Sequence, residues 1–183
     1  MMLTSRDNDI LNLLDEFEVC PTTTLRHLFF PSLSACQKRM KTLYENKRVK
    51  RLRLTLNHDY LYYLNLPKQY MHRYLIMEFY GRLLKETEVI HYNVQKKLGK
   101  IIPDSYFLCK LNGKEYLGFL ELERSNNGVD YEKYEEFYRT KAYREWFPTM
   151  PTVYIMGRKF KVPKNTNVKY VVLKNDLSNF RLY

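Results

Sequence analysis

Between Pro31 and Leu64 the sequence changes period, and that change narrows the fold more than any other feature of the chain. Ser34 to Glu45 has helical spacing. At roughly 100° per residue, Cys36 and Leu43 fall within about 60° of Met40. Ser34, Lys38, Lys41 and Glu45 lie opposite, flanked by Gln37 and Thr42. Ser34-Ala-Cys-Gln37 has capping-box spacing, so a helix start at Ser34 is expected. From Val49 the period becomes two: Arg51, Arg53 and Thr55 alternate with Leu52, Leu54 and Leu56, as in a half-buried strand. Asn57-His58-Asp59 supplies turn chemistry, and Tyr60 to Leu64 returns as a second strand.

Two helices are expected upstream. Thr4 or Ser5 can cap the first, with Asp7 and Asp9 favourable in its opening turn. Ile10, Leu13, Leu14 and Phe17 then mark one buried face. Cys20-Pro21-Thr22 breaks the chain, and a short helix turns Leu25, Leu28 and Phe29 inward before Pro31 ends it. Three helices followed by a basic hairpin, within residues 1–66, is the winged helix-turn-helix pattern. Charge is polarised on the same elements. Residues 1–37 carry two basic and five acidic side chains, whereas Lys38 to Arg53 carry eight basic and one acidic.

That polarisation selects a polyanion as partner. A lone helix with this polar face would be read as merely solvated; the basic hairpin beside it shifts the reading to duplex DNA. Ser34, Gln37, Lys38 and Lys41 are then expected to reach base edges. Lys38, Lys41, Arg48, Lys50, Arg51 and Arg53 would anchor phosphates. A winged helix used only for protein contacts is the alternative.

The formal charge of +11 over 183 residues agrees with a polyanionic partner. No apolar run reaches the roughly 18 residues of a membrane span, and Met1 to Asp9 has no signal-peptide pattern. A cytoplasmic protein that avoids the membrane is expected. Cys20, Cys36 and Cys109 are as scattered as His27, His58, His72 and His91, so free buried thiols are expected rather than structural zinc. Residues 67–88 read as a linker helix with two apolar stripes, one of Met71, Tyr74, Leu75 and Phe79, the other of Ile76, Met77, Tyr80 and Leu84. One stripe could pack on the chain's own sheet while the other meets a second subunit, and such a homodimer would suit a major-groove reader, whereas a helix sandwiched inside one chain would need no partner copy.

Residues 89–183 read as a small mixed α/β domain. Val89–Tyr92, Ser105–Lys110, Tyr116–Glu123, Thr152–Met156 and Lys169–Leu173 are expected strands, with a hairpin turn at Asn112-Gly113. A helix from about Tyr131 to Trp146 packs against them. Asp104 follows Pro103 at the head of one strand, and Glu121-Leu-Glu123 ends the next. Three carboxylates could converge there and hold Mg²⁺ or Mn²⁺. The spacing resembles the Pro-Asp…Glu-x-Lys signature of restriction-endonuclease-like folds, except that Glu123 stands where lysine belongs. Lys110, Lys114 or Lys133 could replace it only if the fold brings one in, and Arg124 points to the other face. The expectation is therefore a nuclease-like domain that has lost catalysis. The alternative is a metal-dependent DNA endonuclease using Asp104, Glu121 and Glu123. Arg158, Lys159, Lys161, Lys164 and Lys169, interleaved with Phe160 and Tyr170, form a second basic run, either a phosphate track or a protected strand edge.

Over nearly its whole length the chain resembles the replication-relaxation family of Gram-positive plasmids, phages and conjugative elements. The residues concerned are Leu3-Thr4-Ser5-Arg6-Asp7 with Ile10-Leu11 and Leu13-Leu14, Leu28-Phe29-Phe30, Arg39-Met40 with Leu43, Ile102-Pro103-Asp104, Leu120-Glu121-Leu122-Glu123-Arg124 and Lys133-Tyr134. The resemblance implies DNA binding in the replication, transfer or transcriptional control of a mobile element. It supplies no catalytic mechanism. A scaffold that recruits a relaxase or a replication initiator is a further reading.

Overall fold

The computed structural model describes residues 1–54, 59–123, 129–157 and 161–183. It is an α+β chain of two units, Met1–Glu86 and Thr87–Tyr183, each with its own hydrophobic core. The expected turn residues Asn57 and His58, the strand residues Thr55 and Leu56, and Arg124, Arg158, Lys159 and Phe160 lie outside the described residues.

The first unit runs α1 (Ser5–Glu16), β1 (Val19–Pro21), α2 (Thr22–Phe29), α3 (Leu33–Glu45), β2 (Lys50–Arg53), β3 (Tyr60–Tyr63) and α4 (Tyr70–Glu86). Thr4 caps α1 in a reciprocal box. Its Oγ1 accepts from the Asp7 amide at 3.3 Å, and the Asp7 carboxylate accepts from the Thr4 amide at 2.7 Å. Ile10 and Leu14 are fully buried beneath it, with Leu13 and Phe17 packed at the edge. Cys20-Pro21 does not simply break the chain. Val19–Pro21 is a short strand that pairs antiparallel with β3, which also pairs with β2, giving the order β1-β3-β2.

In α2, Leu25 is buried as expected, but Leu28 and Phe29 are only half-buried, and Phe30 just after the helix is buried instead. The start of α3 is also corrected. Ser32, not Ser34, is the N-cap, its Oγ accepting from the Ala35 amide at 3.2 Å, and Ser34 lies within the first turn. Cys36, Met40 and Leu43 face the core with no exposed surface. At the other end Lys47 takes a left-handed conformation (φ 57°), and the Arg48 amide reaches back to the Leu43 carbonyl at 2.9 Å. This Schellman-type stop turns the chain sharply from helix to strand and buries Val49.

α4 packs on α2 and β1. The approach is close at Gly81, where an added Cβ would lie 2.4 Å from Thr24 Oγ1. That buried hydroxyl donates to the Met77 carbonyl at 3.0 Å, so it ties the two helices together. No large apolar side chain of α4 is among the exposed ones.

In the second unit β4 (Glu88–Val94), β5 (Ser105–Leu111) and β6 (Lys114–Glu123) form an antiparallel meander. β7 (Thr152–Gly157) then joins parallel to β6, and β8 (Tyr170–Leu173) parallel to β7. The sheet order is β4-β5-β6-β7-β8. Asn112 and Gly113 both have positive φ (50° and 78°), the conformation a two-residue hairpin turn requires. The helix expected to reach Trp146 ends earlier: α5 spans Tyr131–Arg139 and stops where Thr140 Oγ1 bonds back to the Glu136 carbonyl at 2.7 Å. Lys141 is left-handed (φ 58°), and a single 3-10 turn, Ala142–Glu145, follows. α5 and this turn cover one face of the sheet, where Tyr134, Phe137, Tyr143 and Phe147 meet Phe119, Val153 and Ile155. Among the described residues no helix is long and apolar enough to cross a membrane.

Candidate nucleic-acid interface

α3 presents the face expected of it. Ser34, Gln37, Lys38 and Lys41 are all exposed, as is Tyr44, which follows Gln37 and Lys41 along the same side. Lys41 and Glu45 form an exposed i,i+4 pair at 3.7 Å, weak enough that a phosphate could compete for the lysine.

The hairpin arginines are less free than their spacing suggests. Register places Arg51 opposite Tyr62 and Arg53 opposite Tyr60, so all four share one face of the sheet. The Arg51 guanidinium lies 4.2 Å from the ring centroid of Tyr44 and 4.1 Å from that of Tyr60, and Arg53 lies 4.3 Å from Tyr60. Burial pushes the Tyr62 phenol up, and the Arg51 guanidinium opposes that rise. A ladder of Tyr44, Arg51, Tyr60 and Arg53 therefore joins α3 to β2 and β3. Stacking fixes a guanidinium plane and leaves in-plane N–H groups to donate. Lys50 is exposed but pairs with Tyr63 on the opposite face of the sheet, and Arg48 is exposed just before the strand. The six expected phosphate anchors thus do not share one surface. Lys38 and Lys41 on α3 and Arg51 and Arg53 beside it do.

Of the eight basic residues in Lys38 to Arg53, Arg39 turns inward. Its Nε donates to Asp7 Oδ1 at 2.8 Å and its terminal nitrogen to Asp7 Oδ2. The Asp7 side chain is wholly buried, and its hydrogen bonds to Arg39 hold the carboxyl well below the usual carboxylate range. The acidic opening of the chain is thereby used in part to dock α1 on α3. Sequence reasoning placed Asp7 only in a helix dipole, because an ion pair thirty-two residues apart leaves no local pattern.

In the second unit Asp104 and Glu121 come near one another but do not form the expected three-carboxylate group. Asp104 Oδ2 accepts from the Leu122 amide at 2.7 Å. Glu121 Oε1 accepts from Lys133 Nζ at 2.9 Å and from the Tyr134 hydroxyl. Burial pushes the Glu121 carboxyl up, against the lowering effect of Lys133, and Asp104 adds to the rise. Among the described residues no group of three His, Cys, Asp or Glu could hold a metal ion. Of the three lysines considered as replacements, the fold brings in Lys133 from α5. Lys110 and Lys114 stand by the hairpin turn, at the far end of β5 from Asp104. The buried Tyr131 hydroxyl, close enough to Glu123 to feel its charge, has no hydrogen-bond partner among the described residues. Cys20, Cys36 and Cys109 are free and buried, and desolvation raises all three thiols.

Of the second basic run, Lys161 and Lys164 are exposed, and Lys169 Nζ lies 5.1 Å from the Tyr183 ring centroid. No family model, no curated protein and no solved structure matches the chain.

Proposed function

We propose that the first unit is a winged helix-turn-helix that binds duplex DNA, with α3 in the major groove and the β2–β3 hairpin against the backbone. The observation that carries this reading is the continuity of one basic surface: the exposed Ser34, Gln37, Lys38 and Lys41 of α3 run through Tyr44 to the stacked Arg51 and Arg53. The order helix, strand, two helices and hairpin suits it. With the resemblance to replication-relaxation proteins, the reading extends to sequence-specific control of transcription, replication or transfer on a mobile element, in the cytoplasm. It does not depend on a second copy at α4, where Ile76, Met77, Phe79 and Leu83 are buried and Met71, Tyr74, Leu75, Tyr80 and Leu84 are half-buried. Footprinting on the DNA flanking the protein's own gene tests it. Protection of a bounded site supports specific recognition, and uniform or absent protection contradicts it.

One observation favours a second reading, a Mg²⁺- or Mn²⁺-dependent endonuclease. Lys133, delivered to Glu121 from α5, restores a cation near Asp104 where the expected lysine is missing. The antiparallel meander followed by a parallel strand suits a restriction-endonuclease-like core. The same contacts serve equally as a structural network, and the carboxylates are committed to Leu122, Lys133 and Tyr134. Metal-dependent nicking of supercoiled plasmid, absent from an Asp104→Ala/Glu121→Ala protein, would make the second unit an enzyme.

A further inference from the structure

The chain has a single tryptophan, and the fold leaves it at the surface: Trp146 is 44% exposed, next to the buried Phe147. Tryptophan is highly buried on average, so a ring this open stands out. Its present neighbour is Lys96, whose Nζ lies 5.9 Å from the ring centroid. Both are held from below. Leu98 and Ile101 form an isolated antiparallel bridge around Gly99 (φ 61°), and both side chains enter the same core cluster as Tyr143 and Phe147. The segment carrying Lys96 and the turn carrying Trp146 are thus anchored to one another through that core.

The two segments joined through this core carry exposed basic side chains. Lys96, Lys97 and Lys141 are exposed, as is Arg144, whose amide bonds back to the Lys141 carbonyl at 3.0 Å. Lys100 is paired with Glu136 at 3.1 Å, and Glu145 is the other acid in the segment. A second exposed aromatic, Tyr138, stacks on Tyr143 with its ring plane 10° away.

We infer that this surface of the second unit binds single-stranded nucleic acid, with a base stacked on Trp146 and the flanking phosphates on Lys96 and Lys97. The combination fits that ligand better than duplex. A stacked base needs an open ring face, which duplex bases do not offer, and lysines beside the ring meet a backbone that follows the base. An aromatic platform with basic neighbours accepts any base, so no sequence preference is implied. The site shares no residue with the duplex-binding face of α3.

The single tryptophan makes the test direct. The full chain is titrated with fluorescently labelled oligothymidylate, reading strand anisotropy for binding and tryptophan emission, excited where tyrosine does not absorb, for the site. Binding accompanied by saturable quenching supports the proposal. Binding without a change in emission, or no binding, overturns it, as does equal quenching by a duplex of the same length. Lys96→Ala/Lys97→Ala is expected to lower the salt slope of strand binding by about 1.4, and Trp146→Ala to weaken it about tenfold. Trp146→Phe, which keeps a ring and the core beneath it, is expected to retain most of the affinity. Equal weakening by Phe and Ala would contradict stacking.

Discussion

The Arg51 guanidinium stacks on Tyr44, 4.2 Å from its ring centroid, and so joins the second strand to the last turn of the third helix at the surface. With Tyr60 on the other contact, the arginine serves two purposes, holding the hairpin against α3 and presenting donors beside it. Arg51→Ala is therefore expected to lower both thermal stability and duplex affinity, the first by about 1 kcal/mol. Arg51→Lys keeps the charge without the planar stack, so it should retain most of the salt dependence of binding while losing stability. Thermal melts beside salt titrations of the two variants check this.

Asp7 gives a different signature. Its folded pKa is depressed by Arg39, so its contribution to stability is present above the unfolded carboxyl value near 4 and is lost as pH falls through the folded value. Asp7→Ala should destabilise the protein by about 3 kcal/mol at neutral pH, because it leaves Arg39 without its partner and removes the carboxylate half of the α1 capping box, the bond accepted from the Thr4 amide. Chemical denaturation between pH 7 and pH 3 should show the difference between wild type and variant shrinking toward the acid end.

Glu78 on α4 has the opposite sign. Burial pushes its carboxyl up to about 7, with Asp59 adding to the rise and a hydrogen bond from Tyr74 opposing it. A raised carboxyl favours the folded state most below the unfolded value, and that contribution fades as pH rises from about 4.5 to 7. Glu78→Gln should remove the fading and be more stable than wild type at pH 8, by roughly 2–3 kcal/mol. Equal pH slopes for the two proteins would contradict the assignment.

Gly81 is required by the crossing of α2 and α4. Gly81→Ala would drive a methyl into Thr24 Oγ1, a buried hydroxyl already committed to the Met77 carbonyl. A loss of about 1–3 kcal/mol in denaturant melts is expected. Thr24→Ser in the same background, which trims the clash partner's methyl while keeping its hydroxyl, should not rescue it.

What the sequence revealed and what it hid divide along physical lines. Cys36, Met40 and Leu43 were legible because a buried helical face repeats at a fixed spacing, and Thr4 because a cap acts within three residues. The Asn112-Gly113 turn was legible because so few residues tolerate two positive φ angles in succession. β1 was hidden because three residues ending in proline carry no period, and the strand exists only through its pairing with Leu61, Tyr62 and Tyr63. The start of α3 was misplaced because Ser34 has a glutamine three residues on, whereas the true cap, Ser32, has only an alanine there. At the candidate interface the lysines of α3 could be read from phase alone. The Tyr44–Arg51 stack, the inward turn of Arg39 and the delivery of Lys133 to Glu121 all depend on tertiary distance.

Contact between α3 and the phosphates of duplex DNA is read most directly from the salt dependence of binding. Affinity for duplex DNA from the flank of the protein's own gene is measured over a range of salt concentrations for wild type and for Lys38→Ala/Lys41→Ala. Both lysines are exposed, so the variant should melt like wild type. The expected result is weaker binding, with a log–log salt slope smaller by about two, one for each lost phosphate contact. An unchanged affinity and slope would show that DNA, if bound at all, does not lie against this helix.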